Sequence, residues 1–368
     1  MEEIKTFIEC LLPVTICNLK CSYCYIIQEN RRNMKQSKLR YSPEHIALAL
    51  SKKRLGGTCL ISICGAGETM ADNNIIVLVK SLLKEGHFVN VTTNGTLSKK
   101  FDDFIDECSD YIAHLHVSFS LHYLELLRLN LLDVFFENVK KIKKAGASIL
   151  VQLNLCDEYI PYIDEIKQRC KEEVGAYPQV ALTRNELTKP ISVYTSLSME
   201  KYKEYGRKFN SNLFEFTCEN FNVKRREFCY AGDWSGVLNL ETGRLSKCYA
   251  NLEGQDIFSN INEPIHFEAV GRSCKNSYCV NSSHFMSLGI IPSVKTPSYA
   301  ELRNREDAGW YNDEAIHFLN SKLYSSNKIY GVIRKIKISW KNSKGEKNRF
   351  KATVKFSLPD TFFNVLKK

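Results

Sequence analysis

Six short apolar runs, at residues 6–12, 59–64, 88–92, 115–119, 148–155 and 179–183, punctuate the first half of this 368-residue chain, and nothing else limits its fold as strongly. Between most of them lie segments with helical periodicity, at 43–53, 73–84, 100–108, 134–145 and 160–173. Asp72 stands where an N-cap belongs, and Gly86 and Gly146 where C-caps belong. Strands alternating with helices predict an α/β fold around a parallel sheet, open or curled into a partial barrel. Residues 186–225 are mixed and polar, with a helical stretch near 199–209. From 228 to 284 the pieces turn short and rich in Gly, Asn and Cys, which predicts a small irregular domain held by more than its core. A helix is expected near 314–323. Beyond it Ile336, Ile338 and Trp340 alternate with Lys335, Lys337 and Ser339. Across a turn at Gly345, Phe350, Ala352, Val354 and Phe356 alternate with Arg349, Lys351, Thr353 and Lys355. Period two on both arms predicts a terminal β-hairpin with one basic face. No internal repeat is evident.

Composition narrows the class. With 44% hydrophobic and 25% charged residues the chain is globular. It holds no run of about 18 uncharged apolar residues, and Met1-Glu2-Glu3 is no basic opening to an export signal. A soluble, cytoplasmic protein without a membrane span is expected. The net charge of +10 is that of the tail: residues 327–368 hold twelve Lys or Arg against Glu346 and Asp360. The body is neutral, so nucleic acid is not an expected partner; the basic tail suits a lysine-guarded edge strand or a patch for an anionic partner. Fourteen cysteines in a reducing compartment point to metal or to thiol chemistry, not to a disulfide framework.

Three of those cysteines follow the first strand as Cys17-x3-Cys21-x2-Cys24. Three thiolates on one loop suit three irons of a [4Fe–4S] cube, leaving the fourth open, as catalytic centres keep a position open. Zinc is the plainer alternative, but it needs a fourth ligand, and the nearest histidine downstream, His45, is far along the chain.

Cys17-Asn18-Leu19-Lys20-Cys21-Ser22-Tyr23-Cys24 resembles the CxxxCxΦC signature of the radical S-adenosylmethionine (SAM) superfamily, with Tyr23 as its aromatic position. The resemblance implies a partial (β/α)6 TIM-type barrel in which SAM chelates the open iron. One electron from the cluster then cleaves its sulfonium to methionine and a 5′-deoxyadenosyl radical, which abstracts a hydrogen atom. It also implies SAM contacts at strand ends. Gly65-Ala66-Gly67-Glu68 is similar to the family's Gly-Gly-Glu motif for the SAM amino group, with Ala66 departing from it. Thr92-Thr93-Asn94-Gly95 resembles a Thr-Asn-Gly turn, Ser120 matches a ribose-binding serine, and Asn154 is a candidate for the SAM carboxylate. Read alone, each of these is a turn or strand-end hydrogen-bonder. An electron donor such as flavodoxin or ferredoxin is implied.

A second set, Cys229-x13-Gly243-x4-Cys248 with Cys274-x4-Cys279, resembles the SPASM and twitch extensions of that superfamily, which bind auxiliary clusters. Four cysteines imply the smaller, twitch-like type with one further [4Fe–4S] cluster; zinc, or a cluster short of one ligand, stays open. The implied domains are 1–205 for the barrel, 206–300 for the twitch-like α+β domain, and 301–368 for a helix and basic hairpin. Cys59 and Cys64, five apart on a strand, face opposite sides and read as uninvolved, and Cys10, Cys108, Cys156, Cys170 and Cys218 read as small buried hydrophobes. His114 and His116 read as hydrogen-bonded strand histidines. Asp233 and Trp234 suit either a substrate floor or packing.

Members with such extensions act on peptides and on sugar-like or aminocyclitol substrates. The cluster loop at residue 17 leaves no preceding peptide-recognition domain in this sequence, which favours a polar small molecule undergoing oxidation, epimerisation or rearrangement. A maturase of a ribosomally made peptide, and a non-catalytic iron–sulfur protein, are the alternatives.

Overall fold

A computed structural model describes residues 2–36, 38–272, 274, 276, 278–279 and 281–342. Six parallel strands follow one another in both chain and sheet order: β1 (Thr6–Leu12), β2 (Cys59–Gly65), β3 (Phe88–Thr93), β4 (Leu115–Ser120), β5 (Ser148–Leu155) and β6 (Gln179–Leu182). They form the expected partial TIM-type barrel. Each is almost wholly buried, as strands covered on both faces must be. Helices return the chain between them. In Ile75–Lys84 the residues Ile75, Leu78, Val79, Leu82 and Leu83 make the inward stripe, spaced three and four apart. Gly86 ends that turn at φ 83° and Gly146 the one before β5 at φ 102°, as C-caps do. Asp72 forms a turn with Asn74 N–H at 2.7 Å, and Asn74, not Asp72, is the N-cap.

A two-residue pair, β7 (Arg184–Asn185) and β8 (Ser192–Val193), leads out of the barrel. Residues 212–220, within the stretch read as mixed, are helical and bury Leu213, Phe214 and Phe216. Then β9 (Ser235–Asn239), β10 (Arg244–Cys248) and β11 (Asn251–Asp256) join the barrel sheet itself: β9 lies parallel to β1, and β10 antiparallel to β9. The hairpin from 237 to 248 thus extends the same nine-stranded sheet. Gly243 makes its turn at φ 72°.

The terminal segment departs from its reading. Residues 332–342 are helical, so Ile336, Ile338 and Trp340 lie on no strand. The second arm, Phe350 to Phe356, falls outside the described residues. Tertiary contacts explain the helix: Arg272 N–H donates to Ser339 Oγ, and Asn342 Nδ2 donates to the Ala269 and Val270 carbonyls at 3.1 and 3.0 Å. Positions 339 and 342 share a helix face but not a strand face.

The inner face of the barrel is polar. Register places Glu9 beside Ser62, Ser62 beside Asn90, and Asn90 beside His116. Ser62 Oγ donates to Glu9 Oε1 (3.2 Å), Asn90 Nδ2 to Ser62 Oγ (3.1 Å), and Ser118 Oγ to Asn90 Oδ1 (2.8 Å). Beneath them Arg303 is buried, donates to the Ser283 carbonyl at 3.0 Å and stacks over the Tyr299 ring. Among the described residues His116 finds no hydrogen-bond partner for either ring nitrogen, contrary to its reading, and burial pushes it down to about 3. His114 lies in the turn before β4, stacked on Phe88 and paired with Glu314.

Burial also pushes the Glu9 carboxyl from the usual range up to about 7, and its Oε2 has no partner among the described residues. An acid whose pKa is raised by folding costs stability once pH exceeds its unfolded value, and the cost is complete above its folded value. Glu9→Gln is therefore expected to stabilise the protein by about 3 kcal/mol at pH 8, with the gain vanishing as pH falls below about 5. Urea midpoints of wild type and variant at both pH values check this; an equal difference at both would contradict it.

Candidate functional site

The loop carrying Cys17, Cys21 and Cys24 is fixed before any ligand is considered. Gly67 N–H donates to the Val14 carbonyl and Glu68 N–H to the Ile16 carbonyl, both at 2.7 Å, so the turn after β2 clamps the segment entering the loop. This contact needs glycine: a Cβ on Gly67 would sit 2.3 Å from Ile16 O. A Cβ on Gly65 would meet Val14 Cγ1 at 2.5 Å, and Gly65 N–H donates to Thr69 Oγ1. Further along, Arg32 Nη2 donates to the Cys17 carbonyl (2.7 Å), Lys20 N–H to Glu125 Oε2 (2.8 Å), and Ser22 Oγ to Glu158 (3.0 Å). Tyr23 is buried, its hydroxyl hydrogen-bonded to His122 Nδ1 (2.7 Å) and Tyr159 OH (2.9 Å), so only its ring is left for another role. His122 and Glu125 carried no signal in the sequence, since their partners lie about a hundred positions away.

Glu68 is buried and its carboxylate is fully engaged. Oε1 accepts from Met70 N–H (2.9 Å) and Thr93 Oγ1 (2.6 Å), and Oε2 from Asn94 N–H (2.7 Å). It staples the β2 turn to the β3 turn, so its side chain supplies position in place of the free counter-charge read from the sequence. Asn94 donates through Nδ2 to Asn18 Oδ1 at 2.8 Å and to Cys17 Sγ at 3.7 Å. Ser120 closes β4 and Asn154 lies near the end of β5, both half-buried at the same end of the sheet as the cysteine loop. Asn154 Oδ1 accepts from Gln152 Nε2 at 3.4 Å.

Burial first, and then the neighbouring Cys24 and Cys17, push the Cys21 thiol up; burial likewise raises Cys17. The three sulfurs therefore feel one another. Among the described residues no three His, Cys, Asp or Glu side chains close on a single metal ion. In a cube each thiolate takes its own iron. The donor set fits a cluster with one open iron.

Cys229, Cys248, Cys274 and Cys279 influence one another electrostatically. Cys229 is raised by burial, then by Cys279, Cys248 and Cys274; Cys279 is pushed up to about 12 by burial, with Cys248 and Cys274 next among the raising influences. The strand β10 delivers Cys248, and Cys229 is held by a two-way backbone pairing with Gly271. Trp234 instead packs, stacked on Tyr230 at 3.7 Å, and Asp233 accepts from the Tyr330 hydroxyl at 2.5 Å. Cys59 and Cys64 do face opposite sides, but Cys64 faces the polar interior, donating to Glu9 Oε1 at 3.6 Å. Cys10, Cys108, Cys156 and Cys170 are buried as read; Cys218 is half-buried. None of the fourteen cysteines is in a disulfide.

The fold therefore sets a three-cysteine loop and the turns after β2 and β3 together at the strand ends of a parallel partial barrel. Residues 11–160 match the family model described as the radical SAM superfamily. The matched stretch runs from the end of β1 past β5 and covers less than half of the chain. Streptococcus suis SuiB, solved with S-adenosylmethionine bound, is similar in fold with a TM-score of 0.50 at 17% identity, over 70% of this chain and 64% of that one. Native anSMEcpe, solved with AdoMet and a Cp18Cys peptide, gives 0.47 at 15% identity over 72% and 83%. The match thus spans less than two thirds of SuiB. No curated protein matches the sequence. Among the described residues no helix is long and apolar enough to cross a membrane.

Gly67→Ala is expected to displace the clamp and lower cluster occupancy at least severalfold, read as iron per chain after anaerobic reconstitution. Iron content equal to wild type would contradict the clamp.

Proposed function

We propose that Cys17, Cys21 and Cys24 hold the [4Fe–4S] cluster and that SAM lies across the strand ends, between the Tyr23 ring, the Gly65–Gly67 turn, Ser120 and Asn154. The observation that carries this is the double clamp: backbone pairing fixes the entry of the cysteine loop to the β2 turn, and Glu68 ties that turn to Asn94. When bound and reduced, the cluster supplies the electron that cleaves SAM to methionine and a 5′-deoxyadenosyl radical able to take a hydrogen atom from a C–H bond. The chain's own contribution is position and exclusion. Lys20, Ser22 and Arg32 anchor the loop, while the buried strands and helices around it keep water from the radical.

We assign Cys229, Cys248, Cys274 and Cys279 to one auxiliary cluster, closed to SAM by its four thiolates, within a region 206–300 whose strands extend the barrel sheet. Residues 1–205 then form the catalytic barrel and 301–368 an extension. Fourteen cysteines with no disulfide among them suit a reducing, cytoplasmic setting with flavodoxin or ferredoxin as electron donor.

The substrate is a polar small molecule, sugar-like or aminocyclitol-like, whose C–H bond is oxidised, epimerised or rearranged. The polar inner face supports this: Glu9, Ser62, Cys64, Asn90 and Ser118 give the barrel interior below the SAM end a lining of carboxyl, hydroxyl, thiol and amide groups that suits a polar substrate. SuiB has been solved with its precursor peptide SuiA, and peptide maturation is the reading the test must separate.

Three measurements check this. Ala at Cys17, Cys21 or Cys24 is expected to abolish 5′-deoxyadenosine formation. Ala at Cys229 or Cys248 removes about one cube of iron while SAM cleavage by the first site persists; unchanged iron would contradict the second cluster. Deuterium should pass into 5′-deoxyadenosine from deuterated sugars or aminocyclitols; transfer from deuterated peptides alone would reverse the substrate assignment.

A further inference from the structure

Asn94 is placed to act on the cluster and not on SAM. Its side chain belongs to a closed ring of hydrogen bonds: Asn94 Nδ2 donates to Asn18 Oδ1 (2.8 Å), Asn18 Nδ2 to Thr96 Oγ1 (3.0 Å), and Thr96 Oγ1 to Asn94 Oδ1 (2.7 Å). Thr96 N–H also donates to Asn94 Oδ1 at 3.2 Å. These donors fix which end of the amide carries oxygen, so the NH2 end is the one facing Cys17. Its second hydrogen reaches Cys17 Sγ at 3.7 Å, within range for a bond to sulfur. Asn94 is buried, and its backbone N–H is taken by Glu68. The amide's two donors and its acceptor oxygen are all spoken for, so no part of it is left to meet SAM.

We propose that Asn94 is a positioning residue that donates an N–H···S hydrogen bond to the Cys17 thiolate and thereby raises the reduction potential of the SAM-binding cluster. Donation withdraws charge from the sulfur and favours the more negative, reduced cube; hydrogen bonds to cluster sulfurs are one of the protein's levers on potential. The two contacts from Thr96 to Asn94 Oδ1 hold the donor in place, and Glu68 links it to the turn after β2. The inference rests on Cys17 being a cluster ligand.

The test is a redox titration of the anaerobically reconstituted full chain, followed by electron paramagnetic resonance of the signal that changes on adding SAM. At a solution potential equal to the wild-type midpoint, Asn94→Ala should lower the reduced-to-oxidised ratio about tenfold, equivalent to about 59 mV for a one-electron couple. Asn18→Ala, which leaves the Asn94 donor and its Thr96 anchor, should stay within twofold of wild type. A ratio for Asn94→Ala within twofold of wild type at full iron content would overturn the proposal, as would an equal shift in Asn18→Ala. If Asn94→Ala does not retain iron, wild-type protein carrying 15N in its asparagine side chains decides. A 15N coupling on that signal supports the bond, and its absence refutes it. A protein that binds no cluster, or a cluster indifferent to SAM, defeats the ligand assignment and this inference together, and is distinguishable from an unshifted potential.

Discussion

The arrangement depends on a close approach of two backbones. Where the chain leaves β2, the N–H groups of Gly67 and Glu68 meet the carbonyls of Val14 and Ile16, just ahead of the first cluster cysteine. Only a residue without Cβ permits it, because Ile16 O would lie 2.3 Å from one. A loop of eight residues bearing three thiols would otherwise hold them at a large entropic cost, since fixing each residue's backbone costs about 1–2 kcal/mol. The pairing, and the tethers at Arg32, Lys20 and Ser22, spend that cost in folding, before any iron arrives.

From this contact the site spreads by hydrogen bonds across neighbouring strands. Glu68 passes the position of the β2 turn to Thr93 and Asn94, and Asn94 passes it back to Asn18 and Cys17. The motif residues after β2 and β3 thus act less as separate contacts for SAM than as one frame that holds the cluster loop. Below the frame, the Glu9–Ser62–Asn90–Ser118 chain gives the barrel a polar interior, with Glu9 kept protonated more readily than a surface carboxylate by burial.

Much of this was legible in the sequence. Buried parallel strands are short apolar runs, so all six appeared within a residue or so of their bounds, and the cysteine spacing pointed to the cluster loop directly. The second cysteine set was read from its spacing alone, and burial with the neighbouring Cys279, Cys248 and Cys274 raises Cys229. What was hidden depended on partners distant in the chain. Glu9 looked like one polar residue in an apolar strand, and Cys64 like a strand cysteine, until register set them side by side. The segment at 332–342 satisfied period two through Ile336, Ile338 and Trp340, yet Val332, Ile336 and Trp340 satisfy helical spacing equally well. The contacts of Ser339 and Asn342 with residues 269–272 decide between them.

The central claim is that three cysteine sulfurs leave one iron of the cube for SAM. Electron–nuclear double resonance on the reduced protein with SAM labelled by 15N at its amino group tests it most directly. The account predicts a strong 15N coupling that is lost when unlabelled SAM is substituted. A cluster signal without that coupling, unchanged between samples with and without SAM, would contradict it.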